Sequence, residues 1–147
     1  MRVSLLGVSH SAEAMAAAQL TIPFYLERVA AGFPSPAQDY IEQTLDLNGL
    51  CIRHPAATFF VRVEGESMSG VGIHPGDILV VDRSLRAGDG DYVIACLNGE
   101  MTVKELALKP TPRLLPHHPN FQPIEIATDA EVEIFGVVTS LVRQVRR

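Results

Sequence analysis

The sequence has few cysteines, and their arrangement indicates no covalent framework. The two cysteines, Cys51 and Cys96, show no compact spacing of the kind that marks a disulfide-stabilised chain. Cys96 lies in an apolar run and is predicted to be a small buried side chain. This cysteine content fits a reduced, cytoplasmic setting.

Long apolar runs are also missing. No stretch approaches the roughly 18 consecutive apolar residues of a transmembrane helix. Arg2 precedes a short apolar run over residues 3–8, but His10 and Glu13 interrupt the residues after that run, so the start is a poor match to a signal peptide. We therefore expect no membrane partner.

Positive charge is sparse and scattered. Twelve Lys and Arg residues against 17 Asp and Glu give a formal net charge of −5. The basic residues cluster only at the end of the chain, at Arg143, Arg146 and Arg147, which we interpret as a solvated terminus. Nucleic-acid-binding surfaces usually show a basic patch, so strong direct DNA binding is not expected.

The usual sequence signals for a metal or cofactor are absent. His117 and His118 are adjacent, and adjacent side chains in a strand point to opposite faces. Neighbouring prolines place this pair in a predicted loop, and the other histidines show no ligand spacing. The glycine-rich stretch 70–72 lacks the lysine and following Ser or Thr of a P-loop. No metal and no cofactor are expected.

Short β-branched and apolar runs, separated by glycine and proline turns, dominate the second half of the chain. They predict strands over residues 58–63, 77–82, 91–97, 100–108, 113–115, 124–126 and 132–145. Asn98-Gly99 predicts a tight hairpin between two of them. Many short strands of this kind indicate an all-β sandwich or barrel-like fold.

The first part of the chain gives weaker signals. Residues 35–38 have the form of a capping box with proline at the first helical position, which predicts a short helix over residues 39–45. An irregular segment is the alternative. The alanine-rich residues 11–20 predict only a transient helix, because short isolated helices are marginal in water.

Ser67 is the candidate nucleophile. It follows a predicted strand and stands beside Gly65 and Glu66, where the chain turns. A serine hydroxyl attacks only when a neighbouring base takes its proton. Backbone N–H groups at such a turn, near Glu66 and Ser67, can stabilise an oxyanion. The alternative is that Ser67 is an ordinary turn serine.

Lys104 is the candidate general base. A free lysine has a pKa of about 10.4 and is charged at neutral pH. Burial among apolar groups lowers that pKa, and Met101, Val103 and Leu106 are the neighbours that could desolvate Lys104. The alternative is a lysine on a solvated strand face, since spacing alone does not bring the two residues together.

A resemblance joins these observations. Gly65, Ser67 and Met68, together with the segments Gly76-Asp77, Val81-Asp82, Gly90-Asp91 and Thr102-Val103-Lys104, resemble the catalytic domain of the LexA and UmuD family of self-cleaving proteins, which use a Ser-Lys pair. The resemblance continues upstream to residues 31–36 and downstream to residues 135–138. It implies that Ser67 and Lys104 are catalytic and that Ala31 and Gly32 flank the bond that is cut.

The resemblance also implies partners and an order of domains. Residues 1–31 would be a cleavable arm, 32–57 an extended linker and 58–147 the catalytic β domain. The arm is too short for the DNA-binding domain of LexA-type repressors. The family members nearest to UmuD are cut when bound to a RecA–single-stranded-DNA filament. Their trimmed homodimer then joins a UmuC-type translesion polymerase subunit.

Three alternatives remain beside self-cleavage. The chain could be a polymerase-binding subunit that no longer cuts itself, or a Ser-Lys peptidase acting on other proteins. Signal peptidases share the chemistry but are membrane-anchored. Without the family, Ala31-Gly32 would be interpreted as an ordinary flexible hinge.

Overall fold

The fold is built from short antiparallel strands. The computed structural model describes residues 2–8, 22–25, 41–126 and 132–146. Its strands are β1 (Arg2–Val8), β2 (Ile22–Tyr25), β3 (Ile41–Leu45), β4 (Thr58–Glu64), β5 (Ile78–Asp82), β6 (Tyr92–Leu97), β7 (Glu100–Ala107), β8 (Arg113–Leu115), β9 (Ile124–Glu125) and β10 (Val132–Val142). One short helix, α1 (Leu47–Cys51), and 3₁₀ turns at Pro55–Ala57 and Ser69–Val71 complete the described elements. The all-β prediction is confirmed, and each of the seven predicted strands is present within three residues of its predicted ends.

Eight strands form one sheet in the order β1-β4-β5-β10-β6-β7-β8-β9, and β2 pairs separately with β3. All pairings are antiparallel. The Cα atoms of β1 also come within 8 Å of Cα atoms of β7. The sheet therefore curls until its first strand approaches the strand that carries Lys104, which is a barrel-like arrangement.

The predicted hairpin is confirmed between β6 and β7. Leu97 pairs with Glu100, and the two residues between them have positive φ values, 51° at Asn98 and 83° at Gly99. A two-residue turn with both φ values positive has the twist that an antiparallel pair requires, and Asn-Gly suits it best. This turn fixes the register in which Lys104 lies opposite Val93.

The core lies on both faces of the sheet. On one face Val61, Val63, Leu79, Val81, Ile94 and Val103 pack with Met68 and Ile73 from the loop after β4. On the other face Val93, Ala95, Leu106 and Leu114 form a second cluster. Residues 93–95 of β6 alternate between the two clusters, as the period of a strand requires. Strands that are buried on both faces have continuous apolar sequences, as in β5.

Two expectations from the sequence are wrong, and the strands of the first part of the chain were not predicted. The helix over residues 39–45 is not formed, because Ile41–Leu45 is a strand that pairs with β2. Cys96 is half-buried rather than buried, although both cysteines are free thiols. Two strands, Arg2–Val8 and Ile22–Tyr25, occur within residues 1–31, where none was predicted. Residues 11–20 and 35–40 lie outside the described part of the chain, and the boundaries of the arm and linker stay predictions.

Candidate active site

Ser67 lies in a turn that begins directly after β4. Gly65 has a φ of 85°, a left-handed conformation that glycine adopts without steric cost, and it turns the chain inward after Glu64. Ser67 is fully buried, and so is the next side chain, Met68, which packs in the first core cluster. The apolar anchor at Met68 thus fixes the position of the serine.

Lys104 lies in the middle of β7 and is only 4% exposed. It faces the second core cluster, because its cross-strand partner Val93 and its same-strand neighbour Leu106 both belong to that cluster. The prediction of Leu106 as a desolvating neighbour therefore agrees with the structure. Met101 also lines the cavity beside Lys104, but Met101 and Val103 occupy the alternate positions of the strand. These two side chains pack against the opposite cluster, as alternation along a strand dictates.

The structure brings Ser67 and Lys104 together. Lys104 Nζ lies 3.0 Å from Ser67 Oγ, 2.9 Å from Thr102 Oγ1 and 3.2 Å from the Val103 carbonyl oxygen. A neutral amine has two N–H donors and one lone pair. Thr102 and the Val103 carbonyl can accept the two N–H groups, which leaves the lone pair for the Ser67 hydroxyl proton. This geometry suits a serine and its base.

Burial sets the protonation of Lys104. Removal from water disfavours the ammonium form and lowers the pKa of Lys104 below the value of 10.5 for a free lysine. Within the described residues no carboxylate forms an ion pair with Lys104 that would restore the charged form. The side chain can therefore lose its proton at a lower pH than an exposed lysine does.

Main-chain hydrogen bonds from another loop hold the Ser67 turn in place. The His117 N–H donates to the Ser67 carbonyl over 2.6 Å, and the Gly70 N–H donates to the His117 carbonyl over 2.8 Å. A Cβ atom at Gly70 would stand 2.5 Å from that carbonyl oxygen, so only glycine fits there. The His117 side chain lies 3.2 Å from Glu105, next to Lys104 in sequence. The predicted loop at His117-His118 is confirmed, and its main chain is part of the site.

Arg143 holds the later part of the loop that follows Ser67, at Gly72 and Asp77. Arg143 donates to Asp77 through Nε over 2.6 Å and to the Gly72 carbonyl through Nη2 over 2.7 Å. The Asp77 carboxylate also accepts the His74 N–H, and it is 1% exposed. The hydrogen bonds from Arg143 hold the pKa of Asp77 below its usual range. The Arg143 side chain is 42% exposed, as expected for a solvated terminus, but its ion pair with Asp77 was not predicted.

The main-chain N–H groups of Glu66, Ser67 and Met68 are the donors nearest to the serine. In the described part of the chain, the backbone hydrogen bonds of this turn use other N–H groups, those of Ser69 to Ile73. Three consecutive N–H groups beside a nucleophile can stabilise an oxyanion. The predicted donors at Glu66 and Ser67 stay a prediction.

A cavity of about 220 Å³ opens beside Lys104. Its lining is mixed: the apolar side chains of Leu97, Met101, Phe121 and Ile124 stand beside the polar or charged Glu100, Thr102, Lys104 and Gln122. A cavity of this size can hold one apolar side chain of a substrate segment. The predicted scissile pair, Ala31 and Gly32, lies outside the described residues, between the ends of β2 and β3.

Comparison with known proteins decides the family. Residues 23–139 match the family described as Peptidase S24-like, which is well over half of the chain. The chain belongs to the Peptidase S24-like family. Protein MucA of Salmonella typhimurium is 56% identical over 120 residues, which cover 81% of this chain and 82% of MucA. Protein SamA of the same species is 52% identical over 128 residues, which cover 87% and 89%.

A repressor is also among the relatives of this S24-like chain. LexA repressor 1 of Pseudomonas syringae pv. tomato is 39% identical over 119 residues. The match covers 80% of this chain but 58% of that repressor. The predicted kinship with the LexA and UmuD family is confirmed, and the chain is of a self-cleaving peptidase kind.

Sequence reasoning assigned no role to two parts of this S24-like site. Thr102 holds Lys104 Nζ, and its position two residues earlier on the same strand puts both side chains on one face. This two-residue spacing could have predicted a contact between Thr102 and Lys104 from the sequence. The main chain of His117 offered no such signal, because a main-chain contact does not depend on residue type.

Other site types find no support in the residues that the structure describes. Among them, no group of three or more His, Cys, Asp or Glu side chains is placed to hold a metal ion. None of the helices found there is long and apolar enough to cross a membrane.

Proposed function

We propose that this chain is a UmuD-like protein of the SOS mutagenesis response that cuts itself between Ala31 and Gly32. The observation that supports this proposal most is the 3.0 Å contact between Ser67 Oγ and Lys104 Nζ inside the protein. The kinship with MucA and SamA agrees with it.

The reaction is an acyl transfer followed by hydrolysis. Lys104 takes the Ser67 proton while Oγ attacks the carbonyl carbon of Ala31. The oxyanion is stabilised by main-chain N–H groups near Glu66 and Ser67. The bond to the Gly32 nitrogen then breaks, and Lys104 returns the proton to that leaving amine. Water, activated by the neutral Lys104, hydrolyses the ester and frees Ser67.

The burial of the site favours a substrate from the same molecule. Ser67 has no exposed surface and Lys104 almost none, so a substrate must approach through the cavity beside Lys104, which a short extended segment can enter more readily than a folded foreign protein. A segment tethered to the fold reaches the site at a high effective concentration. Its apolar residues near the cut, Val29 or Phe33, could contact the apolar part of the cavity beside Lys104, at Leu97, Met101, Phe121 and Ile124.

The partners follow from the proposed kinship. A RecA–single-stranded-DNA filament would stimulate the cut after DNA damage by favouring the conformation in which the arm occupies the site. The trimmed homodimer, residues 32–147, would then serve as accessory subunit of a UmuC-type translesion polymerase in the cytoplasm. The net charge of −5 fits a protein that reaches DNA through partners.

The test of this function is cleavage under the proposed activator. Full-length chain is incubated at pH 7.5 with RecA, nucleotide and single-stranded DNA, and its mass is read under denaturing conditions. We expect loss of residues 1–31, dependence on the DNA strand, and no cut in Ser67→Ala. A UmuC-type subunit should retain the trimmed chain in preference to Ser67→Ala.

Two outcomes would support other functions. Binding of the polymerase subunit by a chain that is never cut would indicate a non-cleaving accessory protein. Turnover of added unrelated peptides by the trimmed chain would indicate a peptidase acting on other proteins.

A further inference from the structure

The segment before the proposed cut is bound to the rest of the protein by two strand pairings. Segment 1–31 contains β1 and β2, whose partners β4 and β3 both lie after Gly32. Along β1, Arg2 lies opposite Glu64 and Val8 lies opposite Phe59, so the pairing extends over most of β4. A cut between Ala31 and Gly32 would break the chain between the paired strands and leave both ladders in place.

The position of β1 in the sheet also favours its retention. β1 stands at the end of the sheet beside β4, and its Cα atoms also approach β7. It thus lies between the strand that leads to Ser67 and the strand that carries Lys104. An end strand that is flanked on both sides exposes fewer main-chain groups to water than an ordinary edge strand.

We propose that segment 1–31 stays docked after it is severed, through β1 on β4 and β2 on β3, and that its departure is a separate step. The proposal rests on the proposed function for the cut itself, but the docking follows from the strand pairings alone. Processing then has two stages, a chemical one at Ser67 and a physical one at the edge of β4. The main chain of β4 becomes available for strand addition by a partner only after β1 leaves.

The cut affects docking because it removes the covalent link between segment 1–31 and the rest of the chain. While the chain is intact, β1 is held near β4 at an effective concentration of roughly millimolar order. The cut removes this tether, so the segment is then retained for a time set by its dissociation rate. Retention is therefore measurable as a difference between the mass of the native particle and that of its denatured chains.

The experiment uses the full chain cut in two independent ways. In the first, the wild-type chain cuts itself at high pH and is returned to pH 7.5. In the second, Ser67→Ala carries the recognition sequence of an added site-specific protease between β2 and β3, so the cut does not depend on Ser67. For each sample, mass is read by native and by denaturing mass spectrometry.

We expect the denatured chains to lose about 3.4 kDa, the share of 31 residues in 16.0 kDa, while the native particle keeps 16.0 kDa per chain. Loss of the segment from the native particle as soon as the denaturing mass shows the cut would overturn the proposal. The Ser67→Ala sample is cut by the added protease and does not depend on self-cleavage. A wild-type chain that fails to cut itself would therefore refute the proposed function but leave the docking proposal to be decided by the Ser67→Ala sample.

A pair of proline variants provides the matched control. Successive N–H groups in a strand point to opposite sides, so of Val3→Pro and Ser4→Pro one removes an N–H directed at β4 and the other does not. We expect one of the two to shorten retention of the severed segment at least ten-fold and the other to change it much less. Retention that is equally long in both variants and in the unsubstituted chain would show that β1 does not hold the segment.

Discussion

The buried ε-amino group of Lys104 is the group on which the proposed chemistry depends. Among residues 46–126 and 132–146 it is the one buried basic side chain, and it forms hydrogen bonds with the hydroxyl of Ser67, the hydroxyl of Thr102 and the carbonyl of Val103. All three are neutral. Such surroundings keep the amine uncharged more readily than water does.

The desolvation of Lys104 makes stability depend on pH. Because its folded pKa is lowered below 10.5, the unfolded chain holds this proton over a pH window in which the folded chain has lost it. Stability therefore rises with pH across that window, by up to about 1.4 kcal/mol per pH unit. In a Ser67→Ala background, which prevents self-cleavage, Lys104→Met should remove this rise.

Denaturant unfolding at pH values from 7 to 10 measures the free energy of unfolding of Ser67→Ala with and without Lys104→Met. We expect the lysine chain to gain stability relative to the methionine chain as pH increases, and the methionine chain to be at least as stable at pH 7. Parallel stability curves would show that Lys104 is not desolvated.

Thr102 supplies one of the two acceptors that leave the Lys104 lone pair facing Ser67. Thr102→Val keeps the shape and removes the hydroxyl, which costs about one hydrogen bond, or about 1.4 kcal/mol. We predict that self-cleavage slows by roughly ten-fold. Thr102→Ser, which keeps the hydroxyl, should cut at close to the original rate. Equal rates for valine and threonine, measured as the loss of intact mass with time, would exclude this role.

At the scale of elements, the turn after β4 is held from two sides, by the His117 main chain and by Arg143. The first contact requires glycine at position 70. In Gly70→Ala the new Cβ would stand 2.5 Å from the His117 carbonyl oxygen, so the turn must shift and Ser67 with it. A displacement of about 1 Å at a reacting group reduces a rate by roughly 100-fold.

The matched control is Gly88→Ala, whose nearest neighbour would lie 3.7 Å from the new Cβ. We expect this variant to cut itself normally, while Gly70→Ala cuts slowly and still shows cooperative unfolding. Equal rates of mass loss in the two variants would mean that the His117 contact does not position the serine.

Asp77 joins the end of β10 to this turn through Arg143. Its pKa is lowered, chiefly by the hydrogen bonds from Arg143, so the pair stabilises the fold above pH 3.8 and loses its effect as pH falls through the lower folded pKa. Asp77→Asn should lower the thermal midpoint by roughly 5 °C at pH 7. The difference from wild type should shrink towards pH 2. A constant difference at all pH values would contradict a charged pair.

These elements show what the sequence could and could not predict. The strands from Thr58 onward were predictable because each has its own β-branched run and turn residues, such as Asn98-Gly99. The strand at Ile41–Leu45 was not, because a capping motif favoured a helix locally and only pairing with β2 makes it a strand. The ion pair between Asp77 and Arg143 joins residues far apart in sequence, and no local pattern indicates it.

At the scale of the whole molecule, the sheet order brings together segments that the sequence keeps apart. Ser67 and Lys104 are 37 residues apart, and they meet because the curled sheet places the turn after β4 beside β7. Their residue types and the family resemblance predicted a partnership, but only the fold supplies the contact. The position of the arm, with β1 on β4, likewise depends on a long-range pairing.

The decisive test of self-cleavage is the denaturing mass of the full-length chain after incubation at pH 7.5 and near pH 10. High pH neutralises Lys104 and should bypass an activator, so we predict faster loss of residues 1–31 near pH 10. Ser67→Ala and Lys104→Ala should stay intact at both pH values. A wild-type mass that remains 16.0 kDa near pH 10, or a cut that persists in Ser67→Ala, would contradict self-cleavage by Ser67 and Lys104.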